Sequence, residues 1–258
     1  MKIIAAILAK LGSKRLPNKL LRIINGKTAI EHLFERACAA KEIQQVVLAT
    51  ADKSENKKLA LIAKKYGVQT YFGSEVDTLD RLYRAGKEFG ADALLRLTGD
   101  NILIDHGLIN SLVREYRKQA GKVVLATTCL PPTFPEGFSM EIVSMKTLED
   151  LQNNLKDYNE RAAFMVYVSA YPKKFPRYNL SYKKDVSQMR LTMDYPEDLN
   201  LIRAVFNHFK KNQKVRFNID GIISFLESNP KLLKLNENFQ DRTKYPFAFG
   251  LEAIKKAM

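Results

Sequence analysis

The sequence predicts an α/β protein built on a mostly parallel sheet, and three observations predict it. Short runs suited to strands, among them Ile3 to Leu8, Gln45 to Thr50 and Asp92 to Thr98, alternate with segments whose apolar residues recur at helical spacing. The first run is apolar throughout, as a strand buried on both faces requires. With 258 residues, 46% of them hydrophobic, the chain is long enough for one sizeable core.

Each element follows from its residues. The first strand ends in a basic, glycine-containing segment, residues 9–19. Ligands of open α/β sheets bind beyond the carboxyl ends of strands. Gly12 and Ser13 let backbone N–H groups approach an anion, and Lys10, Lys14, Arg15 and Lys19 add positive charge, which suits a polyphosphate. The segment is neither G-x-x-x-x-G-K-[ST] nor G-x-G-x-x-G, and a solvated basic turn is the plain alternative. Thr28 and Glu31 form a capping box ahead of Ile30, Leu33, Phe34, Ala37 and Cys38 on one helical face. Asp52 and Glu55 predict a second helix that runs to about Tyr66 and stops at Gly67. A strand from Val68 to Phe72 leads into a third helix, with Asp77, Asp80 and Arg81 near its start; Asp and Arg at that spacing also read as a surface ion pair.

The fourth strand delivers Thr98-Gly99-Asp100. If strands one and four are neighbours, Asp100 faces the 9–19 loop across a crevice. A carboxylate opposite a phosphate loop calls for a cation between them, as when Mg²⁺ is held by one or two carboxylates plus phosphate oxygens. An Asp in a turn, or capping the next helix, is the other reading. That helix carries Leu108, Leu112, Val113 and Tyr116 inward, and a strand from Lys122 to Thr128 follows. Pro131, Pro132 and Pro135 make the next stretch a loop that leads into a strand by Ser144. Arg190 to Met193 reads as a strand. Pro196, Glu197 and Asp198 open a helix with Leu199, Ile202, Phe206 and Phe209 inward, and Asp194 stands where it could cap that helix.

The formal net charge of +14 attracts polyanions: nucleic acid, anionic membrane or phosphorylated substrates. The lysines are scattered as pairs, from Lys57-Lys58 to Lys210-Lys211, with no arginine-rich block or nucleic-acid motif, so a solvated surface and no nucleic-acid partner are expected. No apolar run is long enough for a membrane span and no signal-peptide order is present, so a cytoplasmic protein without membrane association is expected. Cys38, on a helical face, and Cys129, in a loop, have neither metal-ligand nor disulfide spacing. His32 and His208 fall within helices as surface or packing residues; His106, after Asp105 near the crevice, is a candidate proton acceptor.

LAKLGSKRLPNK resembles the N-terminal signature of the cytidylyltransferases that activate acidic sugars, A-R-x-G-S-x-R-L-P-x-K. Ala9, Gly12, Ser13, Arg15, Leu16, Pro17 and Lys19 match, while Lys10 replaces an Arg and Asn18 stands where many have Gly. LTGDNILID resembles the family's Gly-Asp segment without its proline, and DYPEDL its late Asp-x-Pro-Glu-Asp-Leu segment. Together these look like the spore-coat polysaccharide (SpsF) group, related to CMP-keto-deoxyoctulosonate and CMP-sialate synthetases.

The resemblance implies a single Rossmann-like nucleotidyltransferase domain over residues 1–258, similar to the glycosyltransferase A fold, with a mostly parallel mixed sheet. The resemblance stops near residue 211, and residues 212–258 are expected to form a helical extension in which Phe225, Phe239, Tyr245, Phe247 and Phe249 pack on the core or a partner subunit. It implies CTP-dependent activation of a sugar, acidic sugar or phosphorylated metabolite for surface polysaccharide biosynthesis, with pyrophosphate released. Asp100 and Asp194 would hold Mg²⁺, Arg15 and Lys19 would neutralise the triphosphate, and Leu8 and Ala9 would meet the cytosine beside Gly12 and Ser13. Arg81 would bind nucleotide or acceptor. Glu141, in FPEGFSMEIVS, falls in an acceptor-side position, with Glu136 where Asp is usual, and Asn159-Glu160-Arg161 stands where the group has Arg-Glu-His. Relatives of this kind suggest a homodimer. Two alternatives are a glycosyltransferase using a nucleotide sugar, against which no Asp-x-Asp follows the fourth strand, and a non-catalytic polyanion-binding protein on the same fold.

Overall fold

The computed structural model describes residues 1–212 and 217–239. Along the chain its strands are β1 (Ile3–Leu8), the hairpin β2 (Ile23–Ile24) and β3 (Lys27–Thr28), β4 (Gln45–Ala51), β5 (Gln69–Gly73), β6 (Ala93–Thr98), β7 (Leu125–Thr127), β8 (Glu141–Ser144) and β9 (Arg177–Asn179). Apart from the hairpin they form one sheet in the order β5-β4-β1-β6-β8-β7-β9. β5, β4, β1 and β6 are parallel, β8 runs antiparallel to both β6 and β7, and β9 is parallel to β7, which makes the mostly parallel mixed sheet expected.

The helices are α1 (Ala29–Cys38), α2 (Lys57–Lys65), α3 (Thr78–Glu88), α4 (His106–Lys118), α5 (Met145–Asn154), α6 (Tyr158–Ala162), α7 (Phe164–Ala170), α8 (Pro196–Lys211), α9 (Ile219–Glu227) and α10 (Pro230–Leu233). They cover both faces of the sheet, which is why β1 is apolar throughout. Ile3, Ala5 and Ile7 pack in the core with α1, α4, α8 and α9, while Ile4 and Ala6 pack with α3, α5 and α7.

Several boundaries differ from the sequence expectations. Asp52 does not cap α2: its N–H is engaged by Gly73 O, and a 3₁₀ turn, Ser54–Asn56, precedes the helix. Residues 190–193 form no strand; Arg190 makes a single bridge to Glu136. The stretch after Lys122 reaches strand geometry only over Leu125–Thr127, and residues 159–168 divide between α6 and α7. Cys38 is exposed at the end of α1, beyond its buried stripe, and Cys129 is buried. The lysine pairs are exposed, as a solvated surface requires.

The C-terminal segment packs on the core through Ile219, Ile222, Ile223 and Leu226, and Phe225 stacks on His208 at 4.0 Å. Tyr245, Phe247 and Phe249 lie outside the described residues. Arg36 ties this segment to the 100–105 loop. Its Nε donates to Ile104 O at 2.7 Å, its Nη2 donates to Leu103 O and Phe217 O at 3.2 Å each, and its guanidinium lies 4.2 Å from the Phe217 ring. Burial pulls its pKa down to about 10, still well above neutrality. Arg36→Met leaves three carbonyls without their donor, and a loss of about 3 kcal/mol in urea denaturation is expected; a loss under about 1 kcal/mol would show that they find other partners.

Candidate active site

β1 and β6 end in register, Leu8 opposite Thr98, so the 9–19 and 99–105 loops leave the sheet side by side. Gly99 N–H donates to Leu8 O at 2.9 Å, and a Cβ added at Gly99 would lie only 2.8 Å from the Ala9 Cβ, which is why this position has no side chain. Gly12 turns the first loop at φ +96°, and Asn18, at φ 54°, takes the left-handed conformation that a glycine would supply elsewhere. Asn18 leads into a 3₁₀ turn, Lys19–Leu21, that begins at Lys19. The loop is braced by buried Asn56, whose Oδ1 accepts from Leu11 N at 2.8 Å while its Nδ2 donates to Ala51 O at 2.9 Å. Sequence reasoning missed Asn56, since nothing local marks a partner 45 residues away.

These loops wall a cavity of about 430 Å³. The residues predicted for the nucleotide and the metal line it: Leu8, Ala9, Gly12 and Ser13 from the first loop, with Arg15, Lys19, Arg81, Asp100 and Asp194. Lys10 and Lys14 add further charge to the rim.

At its floor the Lys19 ammonium bridges the two aspartates, 2.8 Å from Asp100 Oδ2 and 2.8 Å from Asp194 Oδ1. Burial works against the lysine's charge, but the two carboxylates outweigh it and its pKa is raised. Asp194 also meets Arg15 Nη2 at 2.8 Å. Burial opposes its charge too, and the Lys19 and Arg15 cations overcome that and hold its carboxyl below the usual range. Asp194 is not the cap of α8. Tyr195 is the N-cap, and Asp198 at the third helical position closes the capping box, its Oδ2 accepting from Asp194 N at 2.8 Å and Tyr195 N at 2.9 Å, which leaves the Asp194 carboxylate to face the cavity. Asp198 is itself clasped by Arg190 at 2.9 Å through both oxygens.

Arg81 is buried, donates through Nη1 to Ser74 O and Glu75 O, and keeps an Nε without a hydrogen-bond partner; burial lowers its pKa. Arg81 is not the partner in the surface ion pair read at this helix start: Asp80 pairs with Arg84 at 2.7 Å, and Asp77 caps α3 and pairs with Arg161 at 2.7 Å.

Other candidates fall outside the cavity lining. Glu141 sits in a buried pair with Arg96, 2.9 and 3.0 Å apart. His32 is packed between Ile24 O and Phe206, His208 stacks on Phe225, and His106 is exposed at the start of α4. Among the described residues no cluster of three or more His, Cys, Asp or Glu could hold a metal. Magnesium at this site would therefore have two protein carboxylates and take its other ligands from phosphate and water, its common arrangement with nucleotides. The ammonium bridging Asp100 and Asp194 already marks a cation position between them, so the residues present fit such an ion.

Comparison with known proteins agrees with this geometry. Residues 4–219 match the family model described as cytidylyltransferase. The chain is 31% identical to protein MJ1063 of Methanocaldococcus jannaschii over 94% of its length and 98% of that protein's. It is 27% identical to the spore coat polysaccharide biosynthesis protein SpsF of Bacillus subtilis over 88% of its length and 95% of that protein's. Among solved structures, a cytidylyltransferase from Leptospira borgpetersenii superposes with a TM-score of 0.85 at 29% identity, covering 90% of this chain and 97% of that one. A match through most of the sheet, including both loops of the crevice, establishes that the chain belongs to the cytidylyltransferase family.

Proposed function

We propose that this chain transfers the cytidylyl group of CTP to a sugar, acidic sugar or phosphorylated metabolite destined for surface polysaccharide, with release of pyrophosphate. One observation carries this reading: a single cavity holds a glycine-containing loop, Arg15, Lys19 and a pair of aspartates bridged by a cation. Family membership favours it over a nucleotide-sugar glycosyltransferase, and the complete set of Arg15, Lys19, Asp100 and Asp194 favours it over a non-catalytic polyanion binder.

The loop N–H groups and Arg15 would receive the triphosphate, Arg15 through its guanidinium fork and Lys19 as a compact charge. Leu8 and Ala9 would offer backbone donors and acceptors to the 2-oxo and 4-amino edge of cytosine, and Arg81 would add a buried cation to the same cavity. Asp100 and Asp194 would hold magnesium, which when bound supplies neutralisation of the triphosphate and of departing pyrophosphate. A phosphate acceptor needs no base. A hydroxyl acceptor has Asp100 and Asp194 as the lining residues able to take its proton, because no histidine lines the cavity. The protein would work in the cytoplasm, with a homodimer as its closed assembly; no helix among the described residues is long and apolar enough to cross a membrane.

Calorimetric titration of CTP, UTP, ATP and GTP with magnesium tests the reading. CTP should bind tightest, by about tenfold or more, and Arg15→Ala should weaken it by a similar factor. Equal binding of all four, or binding indifferent to Arg15→Ala, would sink it.

A further inference from the structure

The segment that follows the family match, residues 220–239, reaches back to the Asp194 side of the cavity. Asn236 is 1% exposed and Asp198 0%. Asn236 Nδ2 donates to Asp198 Oδ1 at 2.8 Å and to Arg190 O at 3.0 Å. Both partners only accept in these bonds, so the amide can face them only through its nitrogen. Its Oδ1 is buried with no hydrogen-bond partner, a cost accepted to keep that orientation. With this bond the buried Asp198 carboxylate receives five donors: Asn236, Arg190 twice, and the backbone N–H groups of Asp194 and Tyr195. The same segment touches the site a second time. Phe239 stacks on Tyr195 with ring centroids 4.1 Å apart, and the guanidinium of Arg15 lies 5.1 Å from the centroid of the Tyr195 ring.

From these contacts we infer that Asn236 and Phe239 are positioning residues for nucleotidyl transfer, Asn236 setting the Asp194 backbone through Asp198 and Phe239 setting Arg15 through Tyr195. A carboxylate that must meet both a cation and a moving phosphate has to be held to within about half an ångström, and a buried carboxylate fully supplied with donors is a stiff support for it. Asp198 holds the peptide from which the Asp194 side chain projects, and Asn236 holds Asp198. Phe239 limits how far the Tyr195 ring can swing, and so limits Arg15. The inference deepens the proposed function and rests on it only for the catalytic readout.

Two measurements test it. In nucleotide-free protein, a double-mutant cycle of Asn236→Ala with Asp194→Asn is read from urea unfolding. Coupling is expected to make the combined effect on the unfolding constant depart by about fivefold or more from the product of the single effects. Agreement within about twofold would overturn the link, whatever the enzyme turns over. In turnover assays, Asn236→Ala is expected to lower kcat by about tenfold with KM for CTP changed less than about threefold, and Phe239→Tyr to retain the activity that Phe239→Ala loses. Phe225→Ala, which removes core packing by the same segment away from the cavity, is the control. If it lowers kcat as much as Asn236→Ala does, the segment serves stability alone and the inference fails. If the wild type turns over no CTP, the proposed function fails and the catalytic part of the inference with it, while the unfolding cycle still decides whether Asn236 supports Asp194.

Discussion

Lys19→Ala is expected to lower kcat/KM for CTP by about a thousandfold. The side chain supplies a preorganised, mostly buried ammonium in contact with both carboxylates of the cavity, and a triphosphate entering beside it gains from a charge that needs no reorganisation. Removing it also leaves Asp100 and Asp194 facing the incoming anion with less positive charge between them. Lys19→Arg should restore little, since a planar guanidinium fork cannot replace a compact ammonium held 2.8 Å from two different carboxylates. Magnesium gives this substitution a distinguishing sign. The ammonium occupies the cation position between the aspartates, so its loss should lower the magnesium concentration needed for half-maximal binding even as turnover collapses. Steady-state turnover with a magnesium titration checks both parts. Turnover within about tenfold of wild type, or an unchanged magnesium requirement, would remove Lys19 from the centre of the site.

Asp194→Asn should have the second-largest effect, lowering turnover by about a hundredfold and raising the magnesium requirement by about tenfold. It also predicts a change in acid stability. Burial raises the Asp194 pKa, but Lys19 and Arg15 outweigh it, so the folded value lies below the unfolded one. A depressed carboxylate contributes stability that is present above its unfolded pKa and lost as pH falls through the folded value, so the loss belongs below about pH 4. Lys19 has the opposite sign: its raised pKa contributes stability that is complete below its ordinary value and lost only as pH rises through the folded value. Between these limits the cluster contributes a constant amount. Urea midpoints from pH 7 to pH 3 should fall less steeply in Asp194→Asn than in wild type. Identical slopes would mean that Asp194 carries no net linkage.

The site was legible where its chemistry sits in contiguous residues. LGSKRLPNK carries the loop glycine, the serine and three of the cavity's cations within one short stretch, and TGD and DYPED each place a carboxylate next to the end of an element. These segments describe their own backbone, which is why Gly12, Arg15, Lys19, Asp100 and Asp194 could be named as candidates from the sequence, and the fold brings them to one cavity. Short-range signals misled where a contact from elsewhere took over. Asp52 has the look of a helix cap, yet its backbone is tied to the end of β5. Arg190 to Met193 has strand-like composition and finds only one bridge, since strand propensity needs a neighbouring edge to become a strand. The pairing of Glu141 with Arg96 on the adjacent strand is likewise absent from the local signal of FPEGFSMEIVS.

The sequence by itself determined the alternation of strands and helices, the basic loop after β1 and the residue types that line the cavity at its end, because periodicity, glycine conformation and local charge act over a few residues. Only the tertiary structure decided that Lys19 bridges two carboxylates 81 and 175 positions away, that Gly99 has no room for a side chain, that Asp198 and not Asp194 closes the capping box of α8, and that Asn236 completes the donor set around Asp198. Each of these depends on β1 and β6 lying side by side and on the chain returning to their shared edge. Such contacts exist only once the whole sheet has formed and its loops compete for the same volume.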